Sequence, residues 1–561
     1  MNALAHRGPD ASGEWVSRDG GAALGHCRLS VLDLSDAGRQ PMASRDGRLW
    51  IAYNGEVYNY LELRHELGGP GAFRTGTDTE VVLAAYERWG AACLERLIGM
   101  FAFAIWDAKD RTLFAARDRY GVKPLYICQH SNSGLWLASE IKALHAAGLP
   151  REPDAQTWAT YLSRGLYDHS CATFWTGVRQ LAPGHYLIWT PEAGLRERCW
   201  YDPAVVVSEA GEDGRSEESV GAELLDLLRE SVKLRFRADV PVGVCLSGGL
   251  DSSLLFSLIQ AICGSDCDTP AFTFTCNDPR YDETPWAKEV LADTAASWHV
   301  CTLSPNQVPD MAIEVARAQD EPFGGLPTLA MSLLHRHARQ VGVTVLLDGN
   351  GLDEAWAGYA YYATAHTLDP SSGPVQGATA VVDSTRWLQP ELARLADVPT
   401  FPAPFADPVR DLQYRDIRHA KLPRAMRFAD RASMMHSREL REPFLDHRIV
   451  ELGLRQPLDR RIRDGEGKWL PRRAAAGLVP AGLRTASKRP LQTPQREWLR
   501  GPLREWANDW IHAAIHARPD WLNGPEVLAA WNRYSSGEGD NSFPVWQWIS
   551  VGLLCADGAA H

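Results

Sequence analysis

The sequence predicts an α/β protein in two parts: an N-terminal α+β layered domain, then an α/β domain built on a doubly wound parallel sheet. Three observations carry that expectation. Up to about Tyr201, short apolar runs are separated by Gly, Asp and Asn turns. Beyond about residue 219, strand-like runs alternate with helical windows. One of those runs, Val240-Pro-Val-Gly-Val-Cys-Leu246, empties directly into Ser247-Gly-Gly-Leu-Asp-Ser-Ser253.

In chain order, Arg48–Tyr53 and Gly99–Trp106 read as strands, the second closed by the turn Asp107-Ala-Lys-Asp110. Thr79–Trp89 and Ala91–Leu97 carry helical spacing, so helices accompany the sheet in residues 1–202. Residues 203–218 are expected to be a linker, because Ser208–Glu218 is acidic and rich in Gly and Ser. From 219 to 555, a helix over Val220–Phe236 precedes strands at 240–246, 271–275 and 343–347. Asp369–Gly377 is expected to be a mobile loop.

With 561 residues, 45% hydrophobic and 23% charged, the chain is long enough for two or three domains. A net charge of −12 and the absence of a Lys/Arg run exclude a nucleic-acid footprint. The N-terminus has no apolar targeting core and no stretch is long enough to span a bilayer, so a cytoplasmic protein with no membrane partner is expected. Eleven scattered cysteines fit reduced thiols better than a disulfide framework, and Cys263 and Cys267 lack the second pair a zinc site needs.

The chemistry starts at residues 247–253. Two glycines let the backbone approach an anion, Ser247, Ser252 and Ser253 offer hydroxyl donors, and a helix begins at the same point with its positive end forward. That is an ATP phosphate site. A carboxylate beside a polyanion is repulsive unless a divalent cation lies between them, so Asp251 reads as a Mg²⁺ ligand. The strand 343–347 ends in a similar loop, Asp348-Gly-Asn-Gly-Leu-Asp-Glu354. Asp353 is the second expected Mg²⁺ ligand, with Glu354 as a weaker alternative; a capped helix start with a structural acid is the bland explanation.

These loops, with Arg441-Glu-Pro-Phe-Leu-Asp-His447, Ser487-Lys-Arg-Pro490 and Trp498-Leu499, resemble the synthetase half of glutamine-dependent asparagine synthetases. Arg7-Gly-Pro-Asp10, Gly25-His-Cys-Arg-Leu-Ser30, Tyr53–Asn59, Gly76-Thr-Asp-Thr-Glu80 and Arg117–Tyr126 resemble that family's glutaminase domain, and the likeness covers nearly the whole chain. It implies an N-terminal domain of the Ntn-hydrolase type, a PP-loop synthetase domain, and activation of a carboxylate as an acyl-adenylate that ammonia then attacks. Carried over, Ser247, Gly248, Gly249, Asp251, Ser252 and Ser253 hold phosphates, joined by Asp348 and Gly349. Cys245 or Leu246 and Phe274 flank the adenine, and Asp251 with Asp353 holds Mg²⁺. Lys488 neutralises the departing pyrophosphate, with Lys468 a second phosphate candidate and Arg441–Asp446 a structural pair. In the other domain Arg28 clamps the glutamine carboxylate, Asp78 takes its ammonium, and Asn54 with the Gly55 N–H forms an oxyanion hole beside Glu56. Taken alone, Asn54-Gly55 reads equally as a hairpin turn. Cys27 has no base at a defined spacing and reads as a small buried residue.

Two departures matter. The family's nucleophile is a cysteine at position 2, whereas this chain has Asn2 and lacks the family's first strand and helix before Arg7. The expectation is that the chain starts at an internal methionine; the competing explanation is a domain that has lost glutaminase activity. Asn350 stands where the family carries glutamate, with Asp348 in place of serine and Leu352 in place of alanine. An amide can orient a substrate but cannot serve as a base. Asn350 and Asp348, with Lys488, are nonetheless the expected catalytic residues.

The expected reaction is aspartate, ATP and glutamine or ammonia giving asparagine, AMP and pyrophosphate. The alternative acceptor is another carboxylate, such as a sugar uronate or a lactam-forming secondary metabolite, with ammonia as nitrogen source. A regulatory nucleotide binder is the third class. Partners are then small molecules, with a homodimer admitted.

Overall fold

The computed structural model describes residues 1–130, 134–264, 267–292, 294–367, 384–486 and 493–556, and the elements below are those of the described residues. The expected loop at 369–377 and Lys488 lie outside them.

The N-terminal part holds β1 (Ala11–Val16) and β2 (Ala23–Arg28) as a hairpin. Its main antiparallel sheet contains β3 (Met42–Ala43), β4 (Leu49–Val57), β5 (Gly99–Asp107) and β6 (Thr112–Arg117). A second antiparallel sheet is made of β7 (Tyr126–His130), β8 (Gly134–Ala138) and β9 (Val178–Gln180). Strands β10 (His185–Thr190) and β11 (Gly194–Cys199) complete the main sheet, in the order β11-β10-β6-β5-β4-β3.

The alternation in β5 explains the layering. Phe101, Phe103 and Ile105 face helix Asp78–Trp89 and pack against Val81, Val82 and Ala85. Ala102 and Ala104 face the other way, against Ile127 of the second sheet and Leu125 and Leu181 at its strand ends, where small side chains let two sheets approach closely.

The C-terminal part is a parallel sheet of β12 (Val242–Cys245), β13 (Ala271–Thr275), β14 (Trp298–Thr302), β15 (Val345–Leu347) and β16 (Glu439–Arg441), in the order β14-β13-β12-β15-β16. The order in which strands are added reverses between β12 and β15, and both predicted phosphate-side loops leave the sheet there. Val244, Leu347 and Ala271 pack against helices Glu217–Arg235 and Leu250–Cys263, whereas Phe272, Phe274 and Leu346 pack on the opposite face with helices Val308–Gln319 and Leu326–Gln340. The predicted α+β and doubly wound α/β architectures are therefore both present.

Three local expectations need correction. Residues 203–210 of the expected linker form a helix, Pro203–Ala210, with Pro203 in its first turn and Asp202 accepting from Ala204 N at 2.8 Å. Strands β14 and β16 went unread because one alternates polar residues at a sheet edge and the other is three residues long. Asn54-Gly55 is no turn: both lie inside β4, paired with Ala102 and Phe101.

The two parts share a core. Tyr126, Trp158 and Phe174 belong to the same apolar cluster as Phe272, Leu346 and Trp546. Beside it, Arg7 of the Arg-Gly-Pro-Asp motif donates to both oxygens of Asp430 at 2.8 and 3.0 Å and to Glu140 at 2.8 Å, all buried. Among the described residues no helix is long and apolar enough to cross a membrane.

Candidate active site

β12 ends at Cys245 and Leu246 leads into the Gly-rich loop, whose hydrogen bonds close on themselves. Ser247 N donates to Ser252 Oγ at 3.2 Å, the Ser247 and Ser252 hydroxyls lie 2.9 Å apart, and Gly249 N donates to Ser247 Oγ at 3.3 Å. Helix Leu250–Cys263 starts at Gly249 with no side-chain cap, and Ser253 Oγ is buried without a hydrogen-bond partner among the described residues. The loop thus presents N–H and O–H donors at a positive helix end.

Gly248 is required twice over. Its φ is +72°, and a Cβ there would come 2.6 Å from Ala287 N and from Trp286 Cβ. Gly248→Ala is expected to cost about 1–3 kcal/mol, read by denaturant unfolding, and to weaken ATP binding in the same protein.

Asp251, in the first turn of that helix, meets Lys468 Nζ at 2.7 and 2.8 Å, and the same nitrogen lies 2.6 Å from Asp353 Oδ1. The two expected metal ligands, from the loops after β12 and β15, therefore converge on one cationic point. Hard carboxylate oxygens so arranged fit Mg²⁺, which takes one or two carboxylates together with phosphate oxygens. Lys468, ranked in the sequence only as a second phosphate candidate, is the cation at the centre, with its side chain 2% exposed. Gly358 makes room for it: a Cβ there would lie 1.9 Å from Asp353 Oδ1 and 2.7 Å from Lys468 Cε.

Asp348 Oδ1 accepts from Gly349 N at 2.6 Å, and Asn350 Nδ2 reaches Asp348 Oδ2 at 3.3 Å and Glu442 Oε1 at 3.2 Å. Glu442, which follows β16, was missed in the sequence although it stands in Arg441-Glu-Pro-Phe. Burial, then Asp348, holds its carboxyl well above the usual range, and the same two acids push the buried Cys245 thiol up after burial itself. Phe274 is buried in the core beneath the sheet, two residues beyond Phe272, the register partner of Cys245. Arg441 and Asp446 do not pair. Arg441 binds Glu439 at 2.7 Å and lies 3.7 Å from Glu56, while Asp446 takes Arg235 at 3.2 Å and Arg448 at 2.9 Å.

A second site lies in the N-terminal part, a cavity of about 120 Å³ lined by Arg28, Asn54, Gly55, Glu56, Asp78 and Lys123 among others. Arg28 Nη1 donates to Ser35 O at 2.7 Å and Nη2 to Leu32 O at 3.1 Å, so an incoming carboxylate would compete with carbonyls for this fork. Asp78, at the start of its helix, accepts from Tyr53 Oη at 2.6 Å and Val57 N at 2.8 Å; burial outweighs these bonds and raises it to about 6. Asn54 Nδ2 is buried without a partner among the described residues, an open donor at the expected oxyanion position. Gly55 is fixed by its close approach, since a Cβ would lie 2.1 Å from Met100 O. Burial drives Glu56 well above its ordinary value, with Asp78 and Glu439 adding to the shift. Burial raises the Cys27 thiol too, which does not suit a nucleophile.

Lys123 also borders a space of about 10 Å³ lined by Val122, Met426, Asp430, Leu440 and Glu442. Lys123 thus lines both the N-terminal cavity and the small space that Glu442 also lines.

Comparison with known proteins gives the following. Residues 1–201 match the family model described as a glutamine amidotransferase domain, and residues 223–556 match the one described as asparagine synthase. Asparagine synthetase (glutamine-hydrolyzing) 1 of Bacillus subtilis (strain 168) is 28% identical over 97% of this chain and 90% of its own length. Asparagine synthetase (glutamine-hydrolyzing) 3 of the same organism is 31% identical, over 90% and 85%. Amidase chry2 of Gibberella zeae is 28% identical, over 92% and 87%.

Proposed function

Because the chain belongs to the asparagine synthase family and is a carbon–nitrogen ligase of that type, we propose that it adenylates a substrate carboxylate with ATP and passes the acyl group to ammonia, with aspartate as the acceptor. The observation that carries this is the convergence of Asp251 and Asp353 on one cationic point beside the uncapped start of helix Leu250–Cys263.

The backbone N–H groups at that helix start, with Ser247, Ser252 and Ser253, take the phosphate oxygens. Mg²⁺, held by Asp251 and Asp353, would neutralise phosphate charge as the β–α bridge breaks. Lys468, ion-paired to the same two carboxylates, would offset charge on the leaving pyrophosphate from beside the metal, and Lys488 is given the same task. The acceptor carboxylate attacks the α-phosphorus, pyrophosphate departs, and ammonia displaces AMP from the acyl carbon. Arg28, Asp78, Asn54 and Gly55 hold glutamine in the N-terminal cavity, and ammonia moves past Lys123 toward Glu442.

A different acceptor carboxylate is favoured by one observation: the loop at Asp348 and Asn350 faces a further buried acid, Glu442. A screen of carboxylates for ATP–pyrophosphate exchange separates the two, since only the true acceptor supports exchange. Exchange with aspartate is expected; exchange with a uronate or β-amino acid alone would reassign the acceptor.

Glutamine binding should also report on Asp78. Only the ionised carboxylate attracts the α-ammonium, and it is lost as pH falls through about 6. The glutamine Kd measured calorimetrically is expected to rise roughly tenfold per pH unit below that point and to level off above it.

A further inference from the structure

Asn350 cannot accept a proton, yet amide formation from ammonia must discard one. Resting on the ligase proposed above, we infer that Glu442 is the proton acceptor for the attacking amine.

Four features place it there. Glu442 follows β16, next to the β15 loop in the sheet, and Asp348 N donates to Arg441 O at 3.0 Å, which brings the two loops into register. Its Oε1 accepts from Asn350 Nδ2 at 3.2 Å, so the amide at the expected catalytic position orients the carboxylate instead of replacing it. Its Oε2 is buried and has no hydrogen-bond partner among the described residues, although the residue is only 4% exposed. Glu442 also lines a small cavity shared with Lys123 of the N-terminal part and with Asp430. An amine arriving by this cavity reaches Glu442 beside Asp348.

The groups around it set its proton affinity. Burial and Asp348 raise it, while the Asn350 amide and Arg235 work the other way. A carboxylate moved upward toward neutrality is a better base than an exposed one. In the step itself, the amine nitrogen bonds to the acyl carbon, the carbon–oxygen bond to the adenylate breaks, and AMP leaves with that electron pair. The surplus proton on nitrogen passes to Glu442 and from there to water.

The full chain carrying Glu442→Gln, which keeps the shape and loses the base, is the test. ATP–pyrophosphate exchange with the accepted carboxylate is expected within about threefold of the parent, which also shows that the variant is folded. Amide formation from saturating ammonia should fall by about 10²- to 10³-fold. Hydroxylamine, a much weaker base whose adduct sheds its proton readily, should be affected far less. Asn350→Glu combined with Glu442→Gln should recover at least tenfold of the ammonia rate by supplying a carboxylate from the neighbouring position. Ammonia transfer unchanged in Glu442→Gln, or exchange and transfer falling together, or equal losses with both nucleophiles, would overturn the assignment. A parent protein that exchanges pyrophosphate with no carboxylate at all refutes the ligase itself, a different result from any of these.

Discussion

Asp251→Asn is expected to lower carboxylate-dependent ATP–pyrophosphate exchange by about 10²- to 10³-fold, with thermal unfolding close to the parent. The substitution keeps volume and some hydrogen bonding but removes one of two charges that converge on a single cationic point. Lys468 keeps Asp353 as a counter-ion at 2.6 Å, so its buried ammonium is not left alone, and folding should survive. A divalent ion held there would lose half of its protein charge, and the triphosphate its screening where charge builds up on the leaving group. Magnesium titration should separate causes: a raised Mg²⁺ requirement in Asp251→Asn marks a ligand, whereas an unchanged one would assign Asp251 to holding Lys468 alone.

Asp430→Ala should destabilise the chain by about 3–5 kcal/mol, because it breaks a buried ion pair and takes two charge-assisted hydrogen bonds from a buried guanidinium. Arg7 donates to both oxygens of Asp430 and keeps Glu140 once they are gone, while Lys123 loses a carboxylate 3.7 Å away. Helix Leu422–Met434 carries Asp430 beneath β16, so the damage falls on the seam between the two parts. Denaturant unfolding should show a lower midpoint. A double-mutant cycle with Arg7→Ala should return a coupling of at least about 1 kcal/mol, the mark of a direct pair.

The pH dependence follows from the same contact. Against the cost of burial, Arg7 and Lys123 hold Asp430 below its ordinary value. Its folded pKa is thus depressed, so its stabilisation is complete above the unfolded carboxylate range, near 4, and is lost as pH falls further. Asp430→Ala should therefore flatten the acid limb of the stability curve.

The Gly-rich loop at 247–253 was legible in the sequence because it is local. A strand, two glycines, three hydroxyls and an aspartate within one turn specify an anion loop whatever the rest of the chain does. Architecture was legible for the same reason: bulky and small residues alternate along β5, and long helical windows separate apolar strands. What the sequence hid depends on distant segments. Lys468 reaches Asp251 across 217 positions, and Glu442 meets Asn350 across 92. Arg441 and Asp446 stand close in sequence, yet one points to Glu439 and Glu56 and the other to Arg235 and Arg448. Asn54-Gly55 looked like a turn because the dipeptide favours one, but β5 supplies a partner strand along its whole length and holds it extended. The helix at 203–210 did carry a signal, an aspartate followed by a first-turn proline, that its acidic, Gly-rich continuation obscured.

The central claim is that the loop at 247–253 serves adenylation of a carboxylate, and isotope transfer tests it most directly. The acceptor that supports exchange would be supplied with heavy oxygen in its carboxylate, together with ATP, Mg²⁺ and ammonia, and the nucleotide product examined by mass spectrometry. One heavy oxygen in the phosphate of AMP, with none in inorganic phosphate or pyrophosphate, is the predicted result. Label in inorganic phosphate with ADP as the nucleotide product would contradict it, since the γ-phosphate would then have activated the acid.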